Sequence, residues 1–184
     1  MTIVASVVGM VRAGEKAHLY DACIEKGFVT IGWFHTLHRN MSAWKPEDVL
    51  RYMAIDYPIG GDHEHRDGTT SVWTPRKVTR DANQISLFLF EMDVGQLVTV
   101  ASTGTKELAI GVVTKRYEFR EASTLGRVQQ YPYLHFKLVN WLGTFSCKDM
   151  SDRLTRYILN RRYQTVFMYD EDCASEIVSV VKEA

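Results

Sequence analysis

Two strand-like runs, residues 95–102 and 107–119, are separated by Thr103-Gly104-Thr105, and this feature most narrows the fold. A short glycine-containing link between two such runs predicts an antiparallel hairpin. Residues 3–11, 28–34, 133–141 and 164–169 supply further β-branched or alternating stretches, about six strands in all. Helical periodicity is interleaved with them. Residues 81–92 place Ile85, Phe88, Leu89 and Met92 at i, i+3, i+4 and i+7, one face of a helix. Residues 15–26 read as a helix stopped by Gly27, and residues 46–55 as one opened by Pro46. Residues 148–159 and 170–182 read as two more, and residues 59–78 as a long polar loop. Helices around a mixed sheet predict an α/β (α+β) fold, a small, curved, partly closed barrel.

The 184 residues, 46% hydrophobic, suffice for one packed core, so residues 1–184 are read as one domain. No apolar run approaches the roughly 20 residues of a membrane span. The three cysteines, Cys23, Cys147 and Cys173, form no C-x-x-C pair and are odd in number. Reduced thiols and a cytoplasmic location are the expectation. The formal net charge is zero, which gives no support for bulk electrostatic coating of nucleic acid. The charge is nonetheless uneven. Residues 106–162 carry eleven basic against five acidic side chains, net +6, whereas the tail after Tyr169 is net −4.

Catalytic signatures do not emerge. Asp62-His63-Glu64-His65 invites a metal, but two histidines at i, i+2 point to opposite faces of an extended chain, and no partner pair follows at structural-zinc spacing. Ser86 and Ser151 lack a nucleophile-elbow context, the glycines form no phosphate-binding loop, and Cys23 falls on an inward helix stripe. No cofactor or metal is expected. Aromatic residues are more informative. Trp33 follows Ile31-Gly32 at a strand end, where glycine permits close backbone approach. A late cluster, Tyr117, Phe119, Tyr131 and Tyr133, is interleaved with Arg116, Arg120 and Arg127. Aromatic faces beside guanidinium groups suit base stacking and phosphate pairing.

The ordered landmarks resemble a family. They are Val11-Arg12-Ala13-Gly14-Glu15, Ile31-Gly32-Trp33, Tyr57-Pro58, Gly95-Gln96-Leu97-Val98, Ile110-Gly111-Val112-Val113, Tyr131-Pro132, Val139-Asn140-Trp141-Leu142 and Thr165-Val166-Phe167. The succession is similar to the PUA-like modules of the EVE and YTH group. The likeness is nearest to those fused to McrB- and Mrr-type modification-dependent restriction enzymes. It implies a curved barrel-like sheet with a pocket for a flipped or unpaired modified base. By this resemblance Trp33 is one wall of an aromatic cage, and Tyr117, Phe119, Tyr131 or Tyr133 is the second. Asn83 or Gln84 would bond a base edge, Arg116, Arg120 and Arg127 would contact phosphate, and Trp141 would be structural. The expected function is non-catalytic reading of a modified nucleobase, in DNA rather than RNA, within a restriction system. A nuclease or AAA+ activity would lie on another domain or chain. The alternatives are an ASCH-like amidohydrolase acting on modified nucleosides, with Thr105, Lys106 and Glu107 as its clustered candidates, an RNA modified-base reader, and an adaptor whose pocket its own side chains fill. Ala82-Asn83-Gln84-Ile85 and Gly95-Gln96-Leu97-Val98 depart from the family pattern, which bears on the ligand more than on the fold.

Overall fold

The expected hairpin is the centre of the sheet. In a computed structural model describing residues 8–14, 17–32, 39–64, 70–102, 106–120, 133–161 and 164–183, strand β5 (Leu97–Ala101) pairs antiparallel with β6 (Glu107–Val113). β-Branched residues make up most of β5 and recur in β6, and both strands are buried almost throughout. On one side β5 runs parallel to β1 (Val8–Val11), which pairs antiparallel with β9 (Val166–Met168). On the other side β6 pairs with β8 (His135–Ser146), whose first residues also pair with β2 (Phe28–Ile31) and the short β7 (Glu118–Phe119). The path β2-β8-β6-β5-β1-β9 is a curled mixed sheet forming a half-barrel.

Among the described residues five α-helices surround the sheet, so the expected mixed α/β class and curved sheet are what the chain forms. One face packs on α1 (Tyr20–Lys26), α2 (Pro46–Asp56) and α3 (Pro75–Ser86), with Val29, Ile31, Val49, Met53, Ile85 and Phe88 in the core. The other packs on α4 (Asp152–Asn160) and α5 (Glu171–Glu183) through Met10, Ile110, Leu154, Ile158, Cys173 and Ile177.

Several elements differ from what the sequence predicts. Residues 59–78 are not one loop: β3 (Asp62–Glu64) and β4 (Thr70–Val72) form a hairpin, and α3 begins at Pro75. The Thr74 hydroxyl accepts the Lys77 amide, and Pro75 has no amide to satisfy, so a cap and a proline open this helix. Helix α3 then widens into a π-helical turn, Leu87–Glu91, closed by the Met92 amide donating to the Leu87 carbonyl. Helix α1 starts at Tyr20, because Ala17 sits at φ 55° and interrupts a regular ladder. The 107–119 run breaks after Val113 and resumes as β7. Strand β8 continues past Trp141 to Ser146, with a bulge opposite Ile110/Gly111 that absorbs Leu142. No helix among the described residues is long and apolar enough to cross a membrane.

Candidate functional site

The ends of two strands meet around one tyrosine. The chain leaves β2 at Gly32, where an added Cβ would lie 2.7 Å from Cε1 and 3.0 Å from Cδ1 of Tyr133. The Tyr133 ring therefore packs closely against backbone that only glycine leaves open. Beyond β1, Gly14 turns at φ 72°, and a Cβ there would sit 3.0 Å from the Tyr133 hydroxyl and collide with the His18 ring. His18 and Tyr133 face each other with ring centroids 6.0 Å apart. Tyr133 is half-buried and Gly32 exposed, so this wall stands at the surface. Trp33, next in the chain after Gly32, lies outside the described residues, as do Tyr131 and Arg127.

The other late aromatics gather two residues further along, around His135. Its ring is fully buried, stacked with Tyr117 at 5.7 Å and tilted against Phe119 at 5.4 Å. The Tyr117 hydroxyl lies 2.7 Å from His135 Nδ1 and accepts the Met41 amide at 3.1 Å. Burial pushes the Tyr117 phenol up to about 12. Tyr117 and Phe119 thus pack together as a unit, whereas Tyr133 stands apart against Gly32. His135 escaped the sequence reading: a histidine inside an apolar strand gives no signal until its partners are known.

Two of the three arginines expected on phosphate, Arg116 and Arg120, are engaged locally. Arg120 places Nε and Nη2 on the two Glu118 oxygens, each at 3.3 Å, and its guanidinium lies over Phe136 at 4.6 Å. Arg116 reaches Asp93 at 3.3 Å. The Asp93 carboxyl is held below its ordinary range, first by the Val94 amide and then by Arg116. Buried behind them is Lys137, 1% exposed, its ammonium donating to the Leu89 and Met92 carbonyls at the end of the π-helical turn. Burial pushes this lysine down to about 8. The sequence offered no reason to single it out, since one lysine in an alternating strand reads as solvent-facing.

Asn83 and Gln84 lie elsewhere, between α3 and β9. Gln84 is buried. Its carbonyl oxygen accepts the amides of Thr165 at 2.6 Å and Val166 at 3.2 Å, while its NH2 donates to Asp81 at 3.3 Å. Both ends of this side chain are spent on holding α3 to β9. Asn83 is exposed and lines an open groove of about 620 Å³. The groove is linked through the backbone to the tyrosine wall. The Arg12 amide donates to the Thr165 carbonyl, and the Arg12 guanidinium donates to the carbonyls of Gln164 and Ile158, two residues before Gly14.

Cys23, Cys147 and Cys173 are buried thiols, and burial pushes Cys23 up to about 12 and Cys173 up to about 11, away from thiolate reactivity. No group of three His, Cys, Asp or Glu among the described residues converges as a metal site. Asp62 is exposed on β3, while the side chains of His63 and Glu64, and all of His65, lie outside the described residues. Lys106 and Glu107 are both exposed at the start of β6, and Thr105 lies outside the described residues. Trp141 donates from Nε1 to the Cys23 carbonyl at 2.8 Å, tying β8 to α1.

No curated protein matches the sequence. The family model described as "Domain of unknown function (DUF8426)" matches residues 8–167, from the first residue of β1 into β9. That span includes Gly14, Gly32, Tyr133 and both walls of the α3–β9 groove, and the chain belongs to the DUF8426 family.

Proposed function

We propose that this domain is a non-catalytic reader of a modified nucleobase, DNA being the favoured polymer, and that any cleaving or motor activity lies on another domain or chain. The observation that carries the reading is the Tyr133 ring seated against Gly32, immediately before Trp33 in the chain. A second aromatic there would close the wall into a cage of the kind that EVE- and YTH-like modules use. Stacking on one aromatic face is worth about 1–3 kcal/mol per base. Two faces would offset the few kcal/mol needed to take a base out of a duplex.

A further feature supports it. The wall is built by backbone contact, with glycines at the ends of two strands, so the ring is positioned before any ligand arrives. The experiment is a binding titration of the purified domain with oligonucleotides carrying methyladenine, methylcytosine or hydroxymethylcytosine, in DNA and in RNA. Tighter binding of one modified base than of its unmodified counterpart supports the reading, and uniform binding across the panel rejects it.

A further inference from the structure

The α3–β9 groove has a composition that the aromatic wall lacks. Arg76, Arg80 and Asn83 stand at i, i+4 and i+7 on α3, one stripe along one wall. Arg161, at the end of α4, and Gln164 form the opposite wall. Three arginines line the groove and no carboxylate does, among its described lining residues, although the whole chain is neutral. Leu87 and Val166 give it an apolar floor.

The walls are held in place before a ligand binds. Gln84 ties α3 to the Thr165 and Val166 amides. Arg161 lies over the Tyr157 ring at 4.3 Å and donates to Gln164 Oε1 at 3.2 Å. Arg80 uses Nε on Asp81 at 2.8 Å, yet 45% of its side chain is exposed. The volume of about 620 Å³ lies within the roughly 300–1,000 Å³ of ligand clefts.

We propose that this groove binds the phosphodiester backbone of one nucleic-acid strand, with Arg76, Arg80 and Arg161 on phosphates and Asn83 on a phosphate or sugar oxygen. Arg76 and Arg80 follow a line along α3, and Arg161 faces them from the other wall. Side chains one helical turn apart are about 5–6 Å apart at Cβ. A row of charges with an apolar floor suits successive phosphates and the sugars between them. A compact, strongly hydrated anion would need convergent donors and no apolar floor. The inference rests on the nucleic-acid reading above and adds to it the path of the strand, linked to the tyrosine wall through Arg12 and Thr165.

The test compares the wild-type domain with the triple variant Arg76→Gln/Arg80→Gln/Arg161→Gln and with Arg76→Glu alone, which alters only an exposed turn of α3. Each is titrated with modified and unmodified oligonucleotides across a salt series, and with ATP, inorganic polyphosphate and polyglutamate as competitors. The triple variant is expected to lose roughly 10-fold or more in affinity for both oligonucleotides equally, and its salt slope to fall by about 2, near 0.7 for each phosphate contact on a single strand. Arg76→Glu is expected to weaken both equally with unchanged thermal stability. Wild-type affinity in the folded Arg76→Glu variant overturns the groove assignment, as does absence of all oligonucleotide binding. Competition by ATP, polyphosphate or polyglutamate as effective as by the oligonucleotide also overturns it, since the site would then take free phosphate or acidic peptide. Failure of the base reading looks different: modified and unmodified strands would bind alike, while the arginine variants would still lose affinity.

Discussion

The hydroxyl of Tyr117 lies 2.7 Å from Nδ1 of His135 and accepts the amide of Met41, so one phenol joins β8 to the segment that leads into α2. Replacing it with phenylalanine keeps the ring against His135 and removes both polar contacts. A buried imidazole nitrogen and a part-buried amide then lose their partner. Tyr117→Phe is expected to destabilise the fold by about 1–3 kcal/mol in urea unfolding. If Tyr117 serves the fold in this way, the variant will bind modified oligonucleotide as wild type does whenever it is folded.

Gln84 and Asn83 are adjacent in sequence but differ in task. Gln84→Ala removes the acceptor of the Thr165 and Val166 amides and is expected to cost about 1–3 kcal/mol. Asn83→Ala, on the exposed wall of the groove, is expected to change stability by less than about 0.5 kcal/mol. Chemical denaturation of the two variants side by side checks the contrast.

Lys137 makes stability depend on pH in the alkaline range. Its ammonium is pushed down to about 8 in the fold, against 10.5 for an ordinary lysine. Between those values the unfolded chain holds a proton that the folded chain has released, so raising the pH favours folding. Below about 8 both forms are protonated and the cost of burying the charge is fully present. Buried Cys23, pushed up to about 12, acts in the opposite sense above its ordinary value of 9.0. The informative quantity is therefore the difference between wild type and Lys137→Met. Wild type is expected to gain on the variant by up to about 3 kcal/mol from pH 8 to 10.5. A constant difference across that range in unfolding titrations would show that Lys137 is not held this way.

Gly32 is expected to tolerate no side chain without moving Tyr133, because a Cβ would lie 2.7 Å from the ring. Gly32→Ala should leave the melting temperature within a few degrees of wild type and weaken modified-base binding several-fold. Calorimetry and a binding titration on the same sample separate the two effects.

Much of the fold was legible because hydrophobic period and turn residues act locally. The 95–102 and 107–119 hairpin, the Pro46 helix start and the inward stripe of Ile85, Phe88 and Leu89 all rest on neighbours within a few positions. Other features depend on distant partners. Thr74-Pro75 marks a helix start, but the polar stretch around it masked the signal. The widening of α3 into a π-helical turn accompanies Lys137, which lies 45 residues beyond Met92 and meets its carbonyl there. Gly32 was informative from sequence as a strand-end glycine; that Tyr133 is the ring against it follows from the β2–β8 pairing, which places Ile31 opposite His135. The arginines of the groove were invisible for the same reason. Arg76 and Arg80 fell in or beside an expected loop, and only the packing of α3 on β9 brings them opposite Arg161.

The central claim is that the Tyr133 face at Gly32 holds a modified base, and Tyr133→Ala tests it most directly. Fluorescence polarisation would give the affinity of wild type and variant for the preferred modified oligonucleotide and for its unmodified twin. Tyr133→Leu, which retains apolar bulk against Gly32, serves as the folded control. The account predicts that both variants lose roughly 10-fold or more for the modified strand, the stacking face being worth about 1–3 kcal/mol, with little change for the unmodified one. An unchanged ratio of modified to unmodified affinity in the folded variants would contradict it.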